Sequence, residues 1–177
     1  PLTKGHLLGT DTLGRDFLSR IIYGARVSIA VGVTTVLIAG FFGTLLGLIS
    51  GFYGGWIDRI LMRFVDMQLS FPFVVLALTI AAILGPSFRN IIITLAVSSW
   101  VIYARLVRGE VLGIKEQQYV QAAFTIGLPN WRIIVMHILP NVLSAVIVLA
   151  SLEVGRMIIS EAAISFLGFG IQPPTPA

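Results

Sequence analysis

The 177-residue chain contains no cysteine, and few of its residues carry a charge. Without cysteine it has no disulfide, no thiol nucleophile and no cysteine-ligated metal. Asp, Glu, Lys and Arg together make up only 11% of the residues, whereas a soluble domain has about 25%. Hydrophobic residues account for 56%, and the mean hydropathy is +0.95. A chain of this size cannot bury so much apolar surface in its own core, so lipid must be part of its solvent.

Motifs of enzymatic chemistry are missing as well. The phosphate-binding pattern G-x-x-x-x-G-K-[ST] does not occur, so we expect this chain neither to bind nor to hydrolyse ATP. The two histidines, His6 and His137, are far apart and lack the spacing of a metal site such as HExxH. No Ser/His/Asp arrangement can be argued. The sequence therefore predicts no catalytic residue, no metal ion and no cofactor, and it disfavours an enzyme.

The basic residues do not indicate a nucleic-acid surface. The net charge is +4, but the Lys and Arg residues are scattered and are not interleaved with aromatic residues. Positive residues that flank membrane spans explain this distribution better. We therefore expect a lipid bilayer, and no nucleic acid, among the partners.

The apolar runs predict an all-α polytopic membrane protein with four spans, at about 27–51, 67–84, 90–108 and 140–167. In the second span, Pro72 is expected either to kink the helix or to start it. In the first span, Gly43, Gly47 and Gly51 recur at every fourth position. This repeat predicts that another helix packs closely against that face.

The segment 1–26 is predicted to be external or interfacial. Asp11 or Thr12 is suited to cap an amphipathic helix that begins near Leu13. Its apolar residues, including Phe17 and Ile21, recur at every fourth position, which suits a helix lying in the membrane interface. An ordinary surface helix is the alternative.

A polar loop, 109–139, separates the third and fourth spans. Four residues at i, i+3, i+4 and i+7 define one helical face: Tyr119, Ala122, Ala123 and Ile126. Gly127 is suited to a left-handed stop, and Pro129 to the first turn of a second short helix. The loop therefore predicts a helix, a sharp turn and a helix outside the membrane, with the stripe exposed to a partner. The alternative is an ordinary amphipathic surface helix.

The fourth span contains three charged residues, Glu153, Arg156 and Glu161. Charges inside a span are costly and usually face the protein interior or a water-filled path. One hypothesis is that they line a translocation route, with Ser98, Ser99 and Trp100 of the third span as weaker candidates. The alternative is that Glu153 and Arg156, at i and i+3, form a self-neutralising pair that orients helices.

The polar loop resembles the E-A-A loop of membrane subunits of ABC importers, whose pattern is E-A-A, three residues, Gly, nine residues and I-x-L-P. Gln121-Ala122-Ala123, Gly127 and Leu139-Pro140 match its spacing, while Gln121 replaces the Glu and His137 the Ile. Three segments are similar to the peptide/nickel branch of that family: HLLGTDTLGRD at 6–16, RIIVMHILPN at 132–141 and SFLGFGIQPP at 165–174. The resemblance covers nearly the whole chain.

This resemblance implies the type I ABC importer transmembrane fold and a permease subunit that forms the translocation path for di- or oligopeptides. Nickel chelates, glutathione and small glycans are other substrates known in the branch. The implied partners are cytoplasmic ATPase subunits, a second homologous permease subunit and an external solute-binding protein, in a bacterial or archaeal plasma (inner) membrane. The residues implied to couple to the ATPase are Tyr119, Gln121, Ala122, Ala123, Ile126 and Gly127.

Lys and Arg are distributed almost evenly between the two sides of the proposed spans, so their count does not decide the orientation. The resemblance places the loop in the cytoplasm. It leads us to expect one permease domain over 1–177 that lacks a further span at each end. Two other classes stay open at this point. An ion-coupled secondary carrier would use Glu153 and Glu161 along its path, and a membrane scaffold would not transport.

Overall fold

The computed structural model of the chain describes Leu8, Gly9, Gly14 and residues 16–170. Throughout this part the secondary structure is helical, with no strands, as the sequence predicts. The helices are α1 Phe17–Tyr53, α2 Gly55–Leu69, α3 Phe73–Leu84, α4 Phe88–Lys115, α5 Gln118–Thr125, α6 Asn130–Ile133 and α7 Leu139–Ile164. Two π-helical turns, Ile134–Ile138 and Ser165–Phe169, precede and follow α7.

Three helical stretches are long and apolar enough to cross a membrane: Phe17–Tyr53, Phe88–Lys115 and Asn130–Phe169. A fourth crossing results if α2 and α3, which meet at an 89° bend, are counted together as one broken span. The predicted number of four spans therefore fits the fold with this pair counted once.

The first helix is longer than predicted and starts at a different cap. It is a continuous helix of 37 residues, capped by Asp16, whose carboxylate accepts hydrogen bonds from the Ser19 amide at 3.0 Å and the Ser19 hydroxyl at 2.6 Å. The prediction that a helix begins near Leu13 is wrong, because Gly14 has φ +75°, a conformation that does not occur within a right-handed helix. The proposed caps Asp11 and Thr12, and Leu13 itself, lie outside the described residues.

The predicted second span, 67–84, is not one continuous helix. Helix α2 ends at Leu69, and α3 begins at Phe73 with Pro72 at its N-cap. Proline has no amide hydrogen to donate, and its ring disfavours a helical conformation in the preceding residue. Of the two roles allowed for Pro72, the structure shows the second, in which it starts a new helix.

Two further helices extend beyond the predicted spans. Helix α4 continues to Lys115 instead of ending near 108. The last helical stretch begins at Asn130 instead of near 140, because α6 and a π-helical turn lead directly into α7. Pro140 lies in the first turn of α7, where the missing amide hydrogen breaks the helix least. Much of the polar loop 109–139 is therefore helical.

The glycine repeat of α1 packs against α4, as predicted. A methyl group added at Gly43 would lie 2.5 Å from the Trp100 carbonyl oxygen, and one added at Gly47 would lie 2.7 Å from the Ala104 carbonyl oxygen. At Gly51 the same group would lie 2.7 Å from Val111 Cβ. Hydrogen in place of a side chain is thus what lets the two helices approach.

Helix α7 completes a three-helix core with α1 and α4. It crosses α1 at Gly32, where an added methyl group would lie 2.9 Å from Ile158 Cγ1. Buried side chains from all three helices, among them Val31, Tyr103 and Met157, form one apolar cluster. This core positions the end of α4, and therefore the short helix α5 that follows it.

Candidate coupling site and buried polar groups

Helix α5 lies at the end of α4 with one face buried and the other exposed. Val120 and Ala123 are buried, and they pack with the end of α1 and the start of the last helical stretch. Ala122, Tyr119 and Ile126 are exposed, and Ile126 keeps 74% of its surface accessible. The prediction that both alanines are exposed is wrong for Ala123, which is only 4% accessible. The available face of α5 is therefore centred on Ala122.

The turn after α5 has the predicted conformation. Gly127 has φ +76°, and no atom lies within 4 Å of a methyl group added there, so its role is conformational. The Leu128 amide donates to the Ala123 carbonyl at 3.2 Å and the Gly127 amide to the Phe124 carbonyl at 3.0 Å, which closes the helix end. Pro129 is the N-cap of α6, one position before the first turn to which the sequence assigned it.

Three side chains of α5 each contact a different one of the three long helices. The Gln121 amide donates to the Lys115 carbonyl at 2.7 Å, at the end of α4. The Phe124 ring stacks on that of Phe52 in α1, with centroids 5.9 Å apart. The Tyr119 hydroxyl accepts a hydrogen bond of 3.2 Å from the Asn141 amide in α7. The orientation of α5 is therefore fixed against all three helices.

Ion pairs between α2 and α4 were not predicted from the sequence. The Arg108 guanidinium donates to both carboxylate oxygens of Asp58, one of them at 2.6 Å, and the Ser50 hydroxyl donates to the same carboxylate at 2.5 Å. Arg105, one turn before Arg108 in α4, pairs with Asp66 of α2. The available signal was opposite charge near the ends of neighbouring spans, which by itself does not define partners.

Lys115 is a second residue that sequence reasoning missed. Its ammonium group donates to the Phe52 carbonyl at 2.7 Å and lies 5.5 Å from the centre of the Phe52 ring. It thereby satisfies a carbonyl in the last turn of α1, where the helix leaves its carbonyl groups without partners. The ends of α1 and α4 are held together at this point.

The charged residues of the fourth span have partners within the chain. Glu153 and Arg156 are in contact at 3.0 Å, and Glu153 is buried, whereas Arg156 is partly exposed. The Arg156 guanidinium lies 4.7 Å from the centre of the Phe73 ring in α3. Both the hypothesis of a path lining and that of a helix-orienting pair are compatible with this geometry.

Glu161 is almost completely buried, with 3% of its surface accessible. Its carboxylate accepts hydrogen bonds from Ser28 Oγ in α1 at 2.9 Å and from Ser165 Oγ at 2.7 Å. A buried carboxylate is tolerated in an apolar interior only when its oxygens are bonded in this way. Glu161 therefore connects α1 to the π-helical turn that ends α7.

We expect Glu161→Leu to destabilise the protein by about 1–3 kcal/mol, because it leaves the Ser28 and Ser165 hydroxyls without their acceptor. Glu161→Gln, which keeps one acceptor oxygen, should lose much less. Thermal unfolding in detergent measures the difference, with Ser151→Ala, an exposed site in the same helix, as the control. Equal melting temperatures for the Leu and Gln variants would contradict this role.

The three candidates on the third span have different environments. Ser98 and Ser99 are buried and donate to carbonyl groups of their own helix, at 2.8 Å to Thr94 and 2.7 Å to Leu95. The Trp100 indole donates to the Gln68 side chain of α2 at 3.1 Å. The serine hydroxyls thus have their partners inside α4. Trp100 connects α4 to the end of α2.

No group of three or more His, Asp or Glu side chains that would hold a metal ion occurs within the described residues.

Residues 43–177 match the family described as "Binding-protein-dependent transport system inner membrane component". The chain belongs to this family. With this match, the helical fold is the type I ABC importer transmembrane fold that the resemblance implied.

Individual members of this inner-membrane component family are similar over almost the whole chain. A glutathione transport system permease protein of Pectobacterium atrosepticum is 44% identical over 174 residues, which are 98% of this chain and 58% of the relative. A dipeptide transport system permease protein of Alkalihalophilus pseudofirmus is 48% identical over 171 residues, 97% of this chain and 56% of the relative. The chain is thus a peptide/nickel-branch ABC permease sequence that spans somewhat more than half the length of these relatives.

Proposed function

We propose that this chain is the membrane-spanning part of a permease subunit in an ATP-driven importer and couples to a cytoplasmic ATPase subunit through α5. The observation that carries the proposal is the position of this helix. Its exposed face, formed by Tyr119, Ala122 and Ile126, is accessible to a partner, while the opposite face packs on the long helices. Ala122 at the centre of the exposed face allows a second surface to approach closely.

The energy for transport is supplied by other subunits in this proposal, since the sequence has no phosphate-binding loop. Closure of two ATPase subunits on ATP would move α5 of this chain and its counterpart in a second homologous permease. The helices would then rock as semi-rigid bodies and alternate the access to a path between the two permeases. An external solute-binding protein would deliver the substrate, at the plasma (inner) membrane of a bacterium or archaeon.

Di- or oligopeptides are the substrates we propose. The names of two relatives refer to dipeptides and to glutathione, which is itself a small peptide. Charged side chains in the fourth span are few, and Glu153 and Arg156 neutralise each other. Sparse polar groups along a path suit substrates that share peptide amides and termini but differ in their side chains.

Ala122→Glu is expected to reduce association with the ATPase subunit at least about tenfold, a loss of roughly 1.4 kcal/mol. The added carboxylate would occupy the centre of the docking face and would have to be desolvated there. Pull-down of the ATPase by the full-length permease in detergent measures the effect. Ala123 is unsuitable for this test because glutamate in its buried position would disrupt the packing of α5 itself.

Gln117→Glu is the matched control for this experiment. It adds the same charge at the exposed N-cap of α5, outside the face formed by Tyr119, Ala122 and Ile126, so association should be retained. If Ala122→Glu and wild type bring down equal amounts of ATPase, the docking proposal is wrong. Uptake into proteoliposomes that proceeds on an ion gradient without the ATPase would show instead that the protein is a secondary carrier.

A further inference from the structure

The contacts of α5 divide the transmembrane helices into two groups. Its side chains reach α1 through Phe124, α4 through Gln121 and α7 through Tyr119. No hydrogen bond or ring contact joins α5 to α2 or α3 within residues 16–170. Helix α2 is connected to α4 by the Asp58 and Asp66 ion pairs and by Gln68, and to α1 by the hydrogen bond from Ser50 to Asp58. Helix α3 contacts α7 where the Phe73 ring lies against the Arg156 guanidinium. A displacement of α5 therefore acts first on the three-helix core.

The contact with α1 is built around Phe52, in the last turn of that helix. Its ring is buried and stacks on Phe124, while its carbonyl accepts the hydrogen bond from Lys115. Phe52 is thus held between the end of α4 and the buried side of α5. Because Phe52 is stacked on Phe124 and is buried in one cluster with Val120 and Ala123, a shift of α5 is expected to carry the end of α1 with it.

The contact with α7 is built around Asn141. The Asn141 amide donates to the Tyr119 hydroxyl at 3.2 Å and to the His137 carbonyl at 2.6 Å. The Tyr119 and His137 rings are also neighbours, with centroids 6.3 Å apart. His137 belongs to the π-helical turn before α7, and such turns are frequent at functional sites within helices. Asn141 therefore connects α5 to the π-helical turn that precedes α7.

We propose that Phe52 and Asn141 are positioning residues that transmit the movement of α5 to α1 and α7. The inference rests on the proposed function, since it requires α5 to be driven by an ATPase. Helix α4 needs no such residue because only two residues separate it from α5. Neither Phe52 nor Asn141 belongs to the exposed face centred on Ala122, and Asn141 contacts it only at its edge, through the Tyr119 hydroxyl. Their loss should therefore leave the docking face in place and separate ATP hydrolysis from import.

The test uses the double variant Phe52→Leu/Asn141→Ala in the full-length transporter, reconstituted in proteoliposomes with its ATPase subunits, partner permease and binding protein. Leucine keeps an apolar side chain but removes the ring stack, and alanine removes both amide hydrogen bonds. We expect the ATPase to co-purify at wild-type levels and to hydrolyse ATP. The amount of labelled dialanine or glutathione imported per ATP hydrolysed should fall at least about fivefold, equivalent to about 1 kcal/mol of coupling free energy.

The matched control is Phe41→Leu/Ser151→Ala, which makes comparable changes at exposed sites on the same two helices. It should import with wild-type stoichiometry. Phe52→Tyr, which keeps an aromatic ring, should restore most of the coupling lost in Phe52→Leu. If the double variant does not fold, as judged by its melting temperature, the single variant Asn141→Ala at the exposed position carries the test.

Import per ATP at the wild-type value in Asn141→Ala and Phe52→Leu would overturn the inference. Loss of ATPase association in these variants would overturn it as well, since the contacts would then maintain the docking face and not transmit its movement. A wild-type protein that neither binds an ATPase nor imports either peptide would instead disprove the proposed function. The wild-type control thus separates the two failures.

Discussion

Replacing Gly47 with leucine is expected to prevent α1 and α4 from packing and to remove folded protein from the membrane. A methyl group at this position would already lie 2.7 Å from the Ala104 carbonyl oxygen and 2.7 Å from Val107 Cβ. Both atoms are fixed by the α4 backbone, so relief requires the two helices to separate. Even Gly47→Ala should destabilise the protein by about 1–3 kcal/mol, the usual cost of overpacking. Melting temperature in detergent measures this loss.

Gly113 supplies the control because it lies in α4 with no atom within 4 Å of an added methyl group. Alanine there should be neutral or stabilising by up to about 1 kcal/mol, since glycine in a helix interior is less favourable by this amount. The two variants make the same chemical change in neighbouring helices. If Gly47→Ala melts at or above the temperature of Gly113→Ala, close packing of α1 on α4 does not depend on the glycine repeat.

The glycine repeat illustrates how much of the fold the sequence predicts. A period of four residues identifies the packing face of α1, because neighbours on a helix surface recur at that spacing. It does not identify the partner. The facing residues of α4, such as Ala104, Val107 and Val111, are ordinary for any apolar helix. The pairing of α1 with α4 follows from the three-dimensional arrangement of the chain.

Helix lengths were underestimated for a different reason. The predicted limits of the spans were taken from the apolar runs, whose lengths match the thickness of the bilayer. A helix ends where its backbone is interrupted, as at Gly127 with φ +76° or at Pro72, and not where its side chains become polar. Helix α4 therefore continues past Arg108 to Lys115. For the same reason Pro72 divides a run that is apolar enough for one span.

The position of α5, the proposed coupling helix, was predicted from the sequence, but its orientation was predicted only in part. The residue types and spacing of α5 located the helix and its turn. In a helix of eight residues, however, apolar side chains occur on both sides, and periodicity alone does not decide which side is buried. Phe52, far away in sequence, packs against Phe124 and brings Ala123 inward, so that Ala122 remains exposed. This choice depends on tertiary contacts that the loop sequence does not contain.

Arg108→Gln is expected to lower stability by about 2 kcal/mol, because it leaves the Asp58 carboxylate half-buried without its main partner. Exposed ion pairs contribute about 0–1 kcal/mol, whereas breaking a buried pair costs about 3–5 kcal/mol. The Arg108 and Asp58 side chains are 32% and 18% accessible, so this pair lies between these limits. The Ser50 hydroxyl is too weak a donor to replace the guanidinium. Thermal unfolding of the purified protein measures the loss.

Arg105→Gln is a matched control on the same two helices. Its pair with Asp66 is exposed, at 57% and 54% accessibility, so we expect a change of no more than about 1 kcal/mol. The double variant Asp58→Asn/Arg108→Gln should recover part of the stability lost in Arg108→Gln, since no unpaired charge remains. Equal losses for Arg105→Gln and Arg108→Gln would mean that burial does not strengthen the Asp58 pair.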